Sequence, residues 1–349
     1  MSAPPHILVV GSGVLGLCTA FELTRRGHAV TIIDPGGPNA SSIAAGMIAP
    51  ALESATEDVT PRRAALLRDA AGLWPAFAAA AGVDLRPGPA IWKGADAEEI
   101  ERRLHALGFD AERRADAVQT PHDTQVEPEA AMAALRALSG RPVVGRVRSV
   151  ERPGEGWRVT TDDGVFDAGM LVLATGTAPA IPGLPDKVAA LLAGIEPIRG
   201  QIGRTGQPLS DHVVRGPDGY VAPTRGGTLI GATMEAGRWD VKPDLATGRA
   251  LAEAGARLLG RGPITGPVDW RVGIRGASPD GLPMAGPSGA PDLHLALAPR
   301  RNGWLLGPLV AQTVADAIER RAPGPHAAAL DPSRRWGFLL RHRPSVPGR

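Results

Sequence analysis

The sequence predicts a two-domain α/β (α+β) fold, in which a Rossmann-like dinucleotide-binding domain is interrupted by a second domain built on an antiparallel sheet. Three observations lead there. A glycine-rich turn, Gly11-Ser12-Gly13-Val14-Leu15-Gly16, joins an apolar strand to a helical pattern. A late apolar strand, residues 170–174, also ends on a glycine, at Thr175-Gly176. Residues 195–233 carry closely spaced strands with no long helix between them, which requires antiparallel pairing.

The first unit, residues 6–34, contains its own justification. The strand at 7–10 ends at Gly11, where a tight turn is needed. Gly13 lets a pyrophosphate approach the backbone, and Gly16 lets the helix lie close to the sheet. The helix N-terminus offers free N–H groups and a positive dipole end to phosphates. Gly27 stops the helix, and a second strand at 29–33 finishes on Asp34, where an acid hydrogen-bonds a ribose hydroxyl. The unit binds an adenine dinucleotide; NAD and FAD both remain open on these residues alone.

Composition narrows the class. At 349 residues the chain can bury a sizeable core and form two domains. A hydrophobic content of 43% and a charged content of 21% suit a globular protein. The 45 glycines and 34 prolines are spread between periodic segments, so they mark turns rather than disorder. A net charge of +2 gives no basic stripe for nucleic acid. The single cysteine, Cys18, excludes an internal disulfide and a cysteine zinc site, and its apolar neighbours make it a core residue. The histidines show no metal-ligand spacing; His122, His212 and His294 read as surface or hydrogen-bonded core residues. No apolar run spans a bilayer, and the opening MSAPPH lacks a charged n-region, so a cytoplasmic protein is expected.

Further elements follow in order. Small residues at 43–50 allow backbone to lie against a large flat group. Residues 61–81 read as one helix, with Thr60 as N-cap, Pro61 at its first position and Gly82 after its end. Its apolar stripe is Leu66, Ala70, Leu73, Trp74 and Phe77. Residues 96–107 form an amphipathic helix closed by Gly108, and 128–138 another; both belong to an excursion at 82–139 into the second domain. Residues 142–150 return to strand, and 157–168 form a hairpin across Asp163-Gly164. A helix at 245–259, strands at 270–274 and 293–298, and a final helix at 305–321 complete the chain.

Several stretches together resemble the FAD-dependent D-amino-acid oxidase superfamily, and within it the glycine oxidases of thiamine biosynthesis. Residues 40–50, ASSIAAGMIAP, look like the segment these enzymes lay along the flavin. Arg199-Gly200-Gln201 resembles their V-R-G-Q stretch. Tyr220-Val221-Ala222-Pro223 and residues 229–235, LIGATME, are similar to their Y-x-x-P and L-x-G-A-T-x-E strands. Residues 273–283, GIRGASPDGLP, look like their G-x-R-P-x-T-x-D-G-x-P, and Arg301-Asn302-Gly303 matches the R-N-G before the final helix. The A-T-G ending at Ala174-Thr175-Gly176 is likewise a flavoprotein feature. Departures are Ala298-Pro299 where Gly-His is usual, Gly276 and Ser278 for Pro and Thr, and Thr177-Ala178 after the middle glycine.

The resemblance implies a Rossmann-like FAD-binding domain at 1–81, 140–190 and 270–340, a discontinuous substrate domain at 82–139 and 191–269, and a tail at 341–349. It implies non-covalent FAD held by Gly11, Gly13, Val14, Leu15, Gly16, Asp34, Pro35, Ser41, Ser42, Ala45, Gly46, Met47, Val147, Thr175, Gly176, Asn302, Gly303, Trp304 and Leu305. Arg275 would bind the substrate carboxylate, a task suited to a planar fork. Tyr220 would donate its hydroxyl to the same group, and Arg301 would meet substrate at the pocket mouth. No catalytic side chain is assigned with certainty, since the resemblance implies hydride transfer to the flavin. The implied reaction is oxidative deamination of glycine or a similar small amino acid, with oxygen or another acceptor taking the electrons and thiazole synthase as a partner. A D-amino-acid or sarcosine-type enzyme, a tRNA-modifying flavoprotein domain and a non-catalytic nucleotide module are the alternatives. Oligomeric state, a homo-oligomer included, stays open.

Overall fold

The computed structural model describes residues 5–57, 59–178 and 181–335. The tail assigned to 341–349 lies outside the described residues. Among the described residues, a six-stranded sheet runs in the spatial order Met284–Pro287, Leu293–Leu297, Met170–Leu173, Ile7–Val10, Val30–Asp34 and Arg141–Val144. Its pairs are parallel except the first. The late strand therefore returns beside the first one. Both faces of the sheet are covered, which is why its strands are continuously apolar. Ile7 and Val9 join a core with the helices Val14–Arg25 and Gly303–Ile318, while Leu8 and Val10 join a second core on the other face. That second face is capped by an antiparallel sheet, Val147–Glu151, Trp157–Thr161 and Val165–Ala168, and by the helix Asp186–Ala193.

The second body is a nine-stranded sheet. Glu196–Thr205, Gly227–Gly231, Gly219–Thr224 and Val213–Gly216 pair antiparallel in that order, as expected from the lack of intervening helices. Val213–Gly216 then pairs parallel with Ala90–Lys93, which brings the 82–139 excursion into the same sheet. A small sheet of Met47–Ile48, Thr124–Val126 and Leu85–Pro87 ties the segment after Gly46 to this body.

Two expected elements are corrected, and two others find partners that the sequence did not signal. The helix at 61–81 is two helices, Pro61–Gly72 and Trp74–Ala81, because Pro75 can neither donate a backbone bond nor clear the preceding turn. The Thr60 cap is present, accepting from the Arg63 N–H at 3.3 Å, and Gly82 takes the left-handed conformation at φ 63°. The strand at 142–150 is split between the six-stranded sheet and the capping sheet, turning at Gly145. The helix Pro128–Leu138 packs Ala131, Met132 and Leu135 into the core with the first helix, a core that Val83 and Val126 of the 82–139 excursion also join. Asp269–Ala277, assigned with the nucleotide-binding segments, pairs along its length with Glu196–Thr205 in the nine-stranded sheet. A strand pattern carries no record of its partner, and here the partner is a strand some 70 residues earlier in a different body.

Candidate active site

The glycine-rich turn is built by close approach. Gly11 has φ 106°, and a Cβ there would fall 2.3 Å from the Ala174 carbonyl oxygen. A Cβ on Gly16 would lie 2.0 Å from the Gly11 oxygen, so the helix can rest on the strand only without one. Gly13 caps the helix with no side chain, and a Cβ there would lie 3.4 Å from Ser41 Oγ. The Val14 N–H donates to that same Oγ at 3.0 Å. Asp34 ends its strand as expected and is pinned by two backbone donors, the N–H of Ser12 and of Gly36, each at 2.7 Å. The Gly145 N–H donates to the Asp34 carbonyl, which places Val147 two residues from the same end.

A second helix N-terminus arrives beside the first. A Cβ on Gly303 would meet Val14 Cγ1 at 3.1 Å, so Asn302 and Gly303 lie against the opening of the first helix. Trp304 Nε1 donates to the Ser41 carbonyl at 3.1 Å, and Trp74 Nε1 donates to the Trp304 carbonyl at 2.9 Å. Asn39 Oδ1 accepts from the N–H groups of Ser41 and Ser42, which shapes the loop after Pro35. Gly46 has φ 68°, where a Cβ would strike the Val126 oxygen at 2.1 Å. The side chain of Gln125 holds the neighbouring Ala45 carbonyl at 2.8 Å. Two helix ends whose N-cap residues make no side-chain cap, a carboxylate at the strand end and a loop of small residues suit an elongated dinucleotide with two phosphates.

Past that groove, a cavity of about 560 Å³ opens between the 40–47 loop and the nine-stranded sheet. Its lining includes Ala45, Gly46, Met47, Asn302 and Trp304, together with Tyr220, Arg275 and Arg301. The three residues singled out for substrate are thus brought to one place, next to the loop singled out for the flavin. Leu305, Leu15 and Val14 lie buried beneath. Thr175 and Gly176 follow the Met170–Leu173 strand, beside Gly11.

Arg275 projects over Gly200, where a Cβ would sit 2.0 Å from its Nη1. That nitrogen donates to the Thr233 carbonyl at 3.2 Å and to Met234 Sδ at 3.4 Å. No carboxylate pairs with it among the described residues. Desolvation lowers its pKa from the usual arginine value, and the charges of Arg301 and Arg300 act the same way. Tyr220 stands in register with Gly231, whose missing Cβ leaves room for the ring: an added one would be 2.7 Å from the phenol oxygen. Burial pushes the phenol up, opposed by the positive charge of Arg275, so it stays a donor.

Arg301 lines the cavity while its guanidinium is engaged in ion pairs. Its Nε lies 2.6 Å from Glu53 and 3.2 Å from Glu57. Glu53 also binds Arg215 at 2.8 Å, and Arg300 pairs with Glu57. Glu53 is buried, yet the two guanidiniums outweigh its burial and hold its carboxyl down at about 2. Sequence reading missed Glu53, Glu57 and Arg215. The only local hint was a lone acid among the apolar residues of Pro50–Thr56. The Arg199-Gly200-Gln201 stretch has a structural use: Arg199 is fully buried and binds Glu235 at 2.6 Å, while Gln201 exchanges two hydrogen bonds with the Asp244 backbone. His294 is buried with Nδ1 unpartnered, and burial lowers it to about 4, so it is a neutral core residue rather than a hydrogen-bonded one.

Comparison with known proteins places this geometry. The family model described as DAO, FAD dependent oxidoreductase, matches residues 6–317. The chain is 30% identical to a glycine oxidase of Geobacillus kaustophilus (strain HTA426), over 90% of this chain and 93% of that one. It is 29% identical to the bifunctional protein ThiO/ThiG of Trichormus variabilis, spanning 91% of this chain and 53% of that protein. The crystal structure of glycine oxidase from Geobacillus kaustophilus superposes with a TM-score of 0.79 at 25% identity, covering 95% of this chain and 99% of the other.

Proposed function

Because the chain belongs to the DAO family of FAD dependent oxidoreductases and is an FAD-dependent amino-acid oxidase, we propose that it oxidatively deaminates glycine or a similarly small amino acid. The observation that supports this substrate class is Arg275, a guanidinium on the cavity wall with no carboxylate partner among the described residues. A desolvated cation without a counter-ion is costly, and a substrate carboxylate removes the cost. The Tyr220 hydroxyl donates to the same carboxylate, so that two groups from adjacent parts of one sheet fix the substrate's orientation. FAD, when bound, supplies the acceptor for the hydride that leaves the substrate Cα. Gly11, Gly13, Val14, Leu15 and Gly16 hold its pyrophosphate, Asp34 its ribose, and Val147 lies toward the adenine end. Pro35, Ser41, Ser42, Thr175 and Gly176 line the groove between. Ala45, Gly46, Met47, Asn302, Gly303, Trp304 and Leu305 border the ring.

The product imine hydrolyses to glyoxylate and ammonia, and oxygen reoxidises the enzyme to give hydrogen peroxide. The likeness to ThiO/ThiG supports a supply of imine to thiazole synthase for thiamine, in the cytoplasm. No helix among the described residues is long and apolar enough to cross a membrane. The discontinuous FAD and substrate domains are part of the same proposal. One observation favours a second reading, a D-amino-acid or sarcosine-type substrate: the cavity lining also includes the apolar residues Trp92 and Ile100, which suit a side chain or an N-methyl group. Anaerobic mixing of the yellow holoprotein with glycine, sarcosine, D-alanine and D-proline separates the two. Bleaching of the flavin is expected with glycine first. Bleaching by a larger amino acid and none by glycine would move the assignment to the second reading, and bleaching by none would remove both.

A further inference from the structure

Arg275 and Tyr220 account for one carboxylate, but the cavity wall carries more cation than that. Arg215, Glu53, Arg301, Glu57 and Arg300 form an alternating chain of ion pairs, three guanidiniums to two carboxylates. Glu53 is the member that joins its two cavity-lining arginines. Its Oε1 lies 2.8 Å from Arg215 Nη2 and its Oε2 lies 2.6 Å from Arg301 Nε, and it is 7% exposed. Arg215 is directly opposite Tyr220 on the neighbouring strand, so both side chains share the face that walls the cavity. Its Nη1 has no hydrogen-bond partner, and no other carboxylate pairs with Arg215 among the described residues. Without the Glu53 charge, the wall around Tyr220 would present Arg215 unneutralised and Arg301 with Glu57 alone.

We propose that Glu53 is a specificity-determining positioning residue: by engaging Arg215 and Arg301 together, it leaves Arg275 as the single receptor for a carboxylate, so the cavity takes amino acids with one carboxylate and rejects those with two. A second carboxylate entering here would lose its water beside an acid of the same sign, and that acid already neutralises the two nearby cations, so the spare Arg215 Nη1 offers it a hydrogen bond without net charge. The proposal rests on Arg275 being the carboxylate receptor. It makes the selectivity of the site a matter of charge, separate from its size.

The test measures binding of two unreactive probes, acetate and malonate, to the holoprotein by calorimetry at mildly alkaline pH, where both are fully ionised. Wild type should bind acetate more tightly than malonate. Glu53→Gln keeps the shape and removes the charge; malonate should then bind about ten-fold more tightly or better, while acetate changes by less than about three-fold. Glu53→Asp, which keeps the charge, should retain the wild-type preference. Unchanged malonate affinity in Glu53→Gln, or equal affinity of wild type for the two probes, overturns the proposal. Should Glu53→Gln not accumulate as holoprotein, Arg215→Met serves in its place: it removes one cation and should weaken malonate further, and tighter malonate binding there is equally fatal. Acetate affinity that is indifferent to Arg275→Ala would show instead that the underlying reading of Arg275 is at fault.

Discussion

Arg275 is held where it is by what its neighbours lack. The guanidinium lies over Gly200, and the Tyr220 ring fills the space left by Gly231. A methyl group on Gly200 would sit 2.0 Å from Arg275 Nη1 and 2.5 Å from its Cζ, closer than any tolerated contact, so the arginine must swing away. Gly200→Ala is therefore expected to raise the KM for an amino acid by about ten-fold or more, the cost of one charge-assisted contact. Flavin content should stay the same, because Gly200 belongs to the cavity wall and not to the nucleotide groove. Steady-state kinetics with the flavin spectrum recorded alongside checks both halves. A variant with unchanged KM would show that the guanidinium position is not set by this glycine. Glycine in a strand usually reads as weakness, and here it reads as space for a larger neighbour. That much is invisible in the sequence, where Gly200 matches a family motif without giving its reason.

Local chemistry made most elements legible. The Thr60-Pro61 start, the Gly82 stop and the Asp163-Gly164 hairpin follow from backbone rules that act over a few residues. What failed had two causes, a local proline masked by an apolar stripe and contacts set by distance. Pro75 broke a helix whose apolar stripe ran on unchanged, because Leu66, Ala70, Trp74 and Phe77 face one core whether or not the axis is continuous. The joint near Asp123 is a contact set by distance that the sequence does not signal. Its carbonyl accepts from the Gly88 N–H, tying the turn between Ala117–Thr120 and Thr124–Val126 to the loop before Ala90–Lys93. Burial pushes the Asp123 carboxyl up to about 7, against the hydrogen bond from Thr120 Oγ1 at 2.9 Å. The folded protein thus keeps a proton that the unfolded chain releases near pH 4. Its contribution to stability is complete below about pH 4 and declines as pH rises toward 7, then stays lost. Asp123→Asn cannot ionise and should raise Tm above neutral pH while flattening its dependence between about pH 4 and pH 7. Thermal unfolding across that range decides it; a variant less stable than wild type above neutral pH would mean the carboxylate form is the useful one.

The two bodies meet at the cavity, and the order of chain segments explains why. The six-stranded sheet delivers the glycine turn, Asp34 and the Thr175-Gly176 ending at the carboxyl ends of three adjacent parallel strands, and the final helix brings Asn302 and Gly303 to the same place. The nine-stranded sheet supplies Tyr220 and Arg215 from neighbouring strands and Arg275 from the strand paired with Glu196–Thr205. The nucleotide half was readable because a phosphate site needs glycines at set spacings along one strand-turn-helix. The substrate half was readable only through family motifs, and the ion chain through Glu53 not at all, since its members are drawn from residues 53, 57, 215, 300 and 301 with no periodic signal. Cavity and groove belong to one function only if the amino acid is held from the nine-stranded side while the flavin is held from the other.

That division can be measured by the rate of flavin reduction by subsaturating glycine without oxygen, in wild type, Arg275→Ala, Arg275→Lys and Tyr220→Phe. Truncating one partner of a buried charge pair costs roughly 2–5 kcal/mol, so Arg275→Ala should slow reduction by some ten- to several-thousand-fold. Arg275→Lys should recover only part of it, because a point charge cannot copy a fork. Tyr220→Phe should lose about ten-fold, the worth of a single hydrogen bond. All four proteins should carry the same amount of FAD. Equal reduction rates in wild type and Arg275→Ala, or loss of flavin with the arginine, would contradict the assignment of Arg275 to the substrate carboxylate.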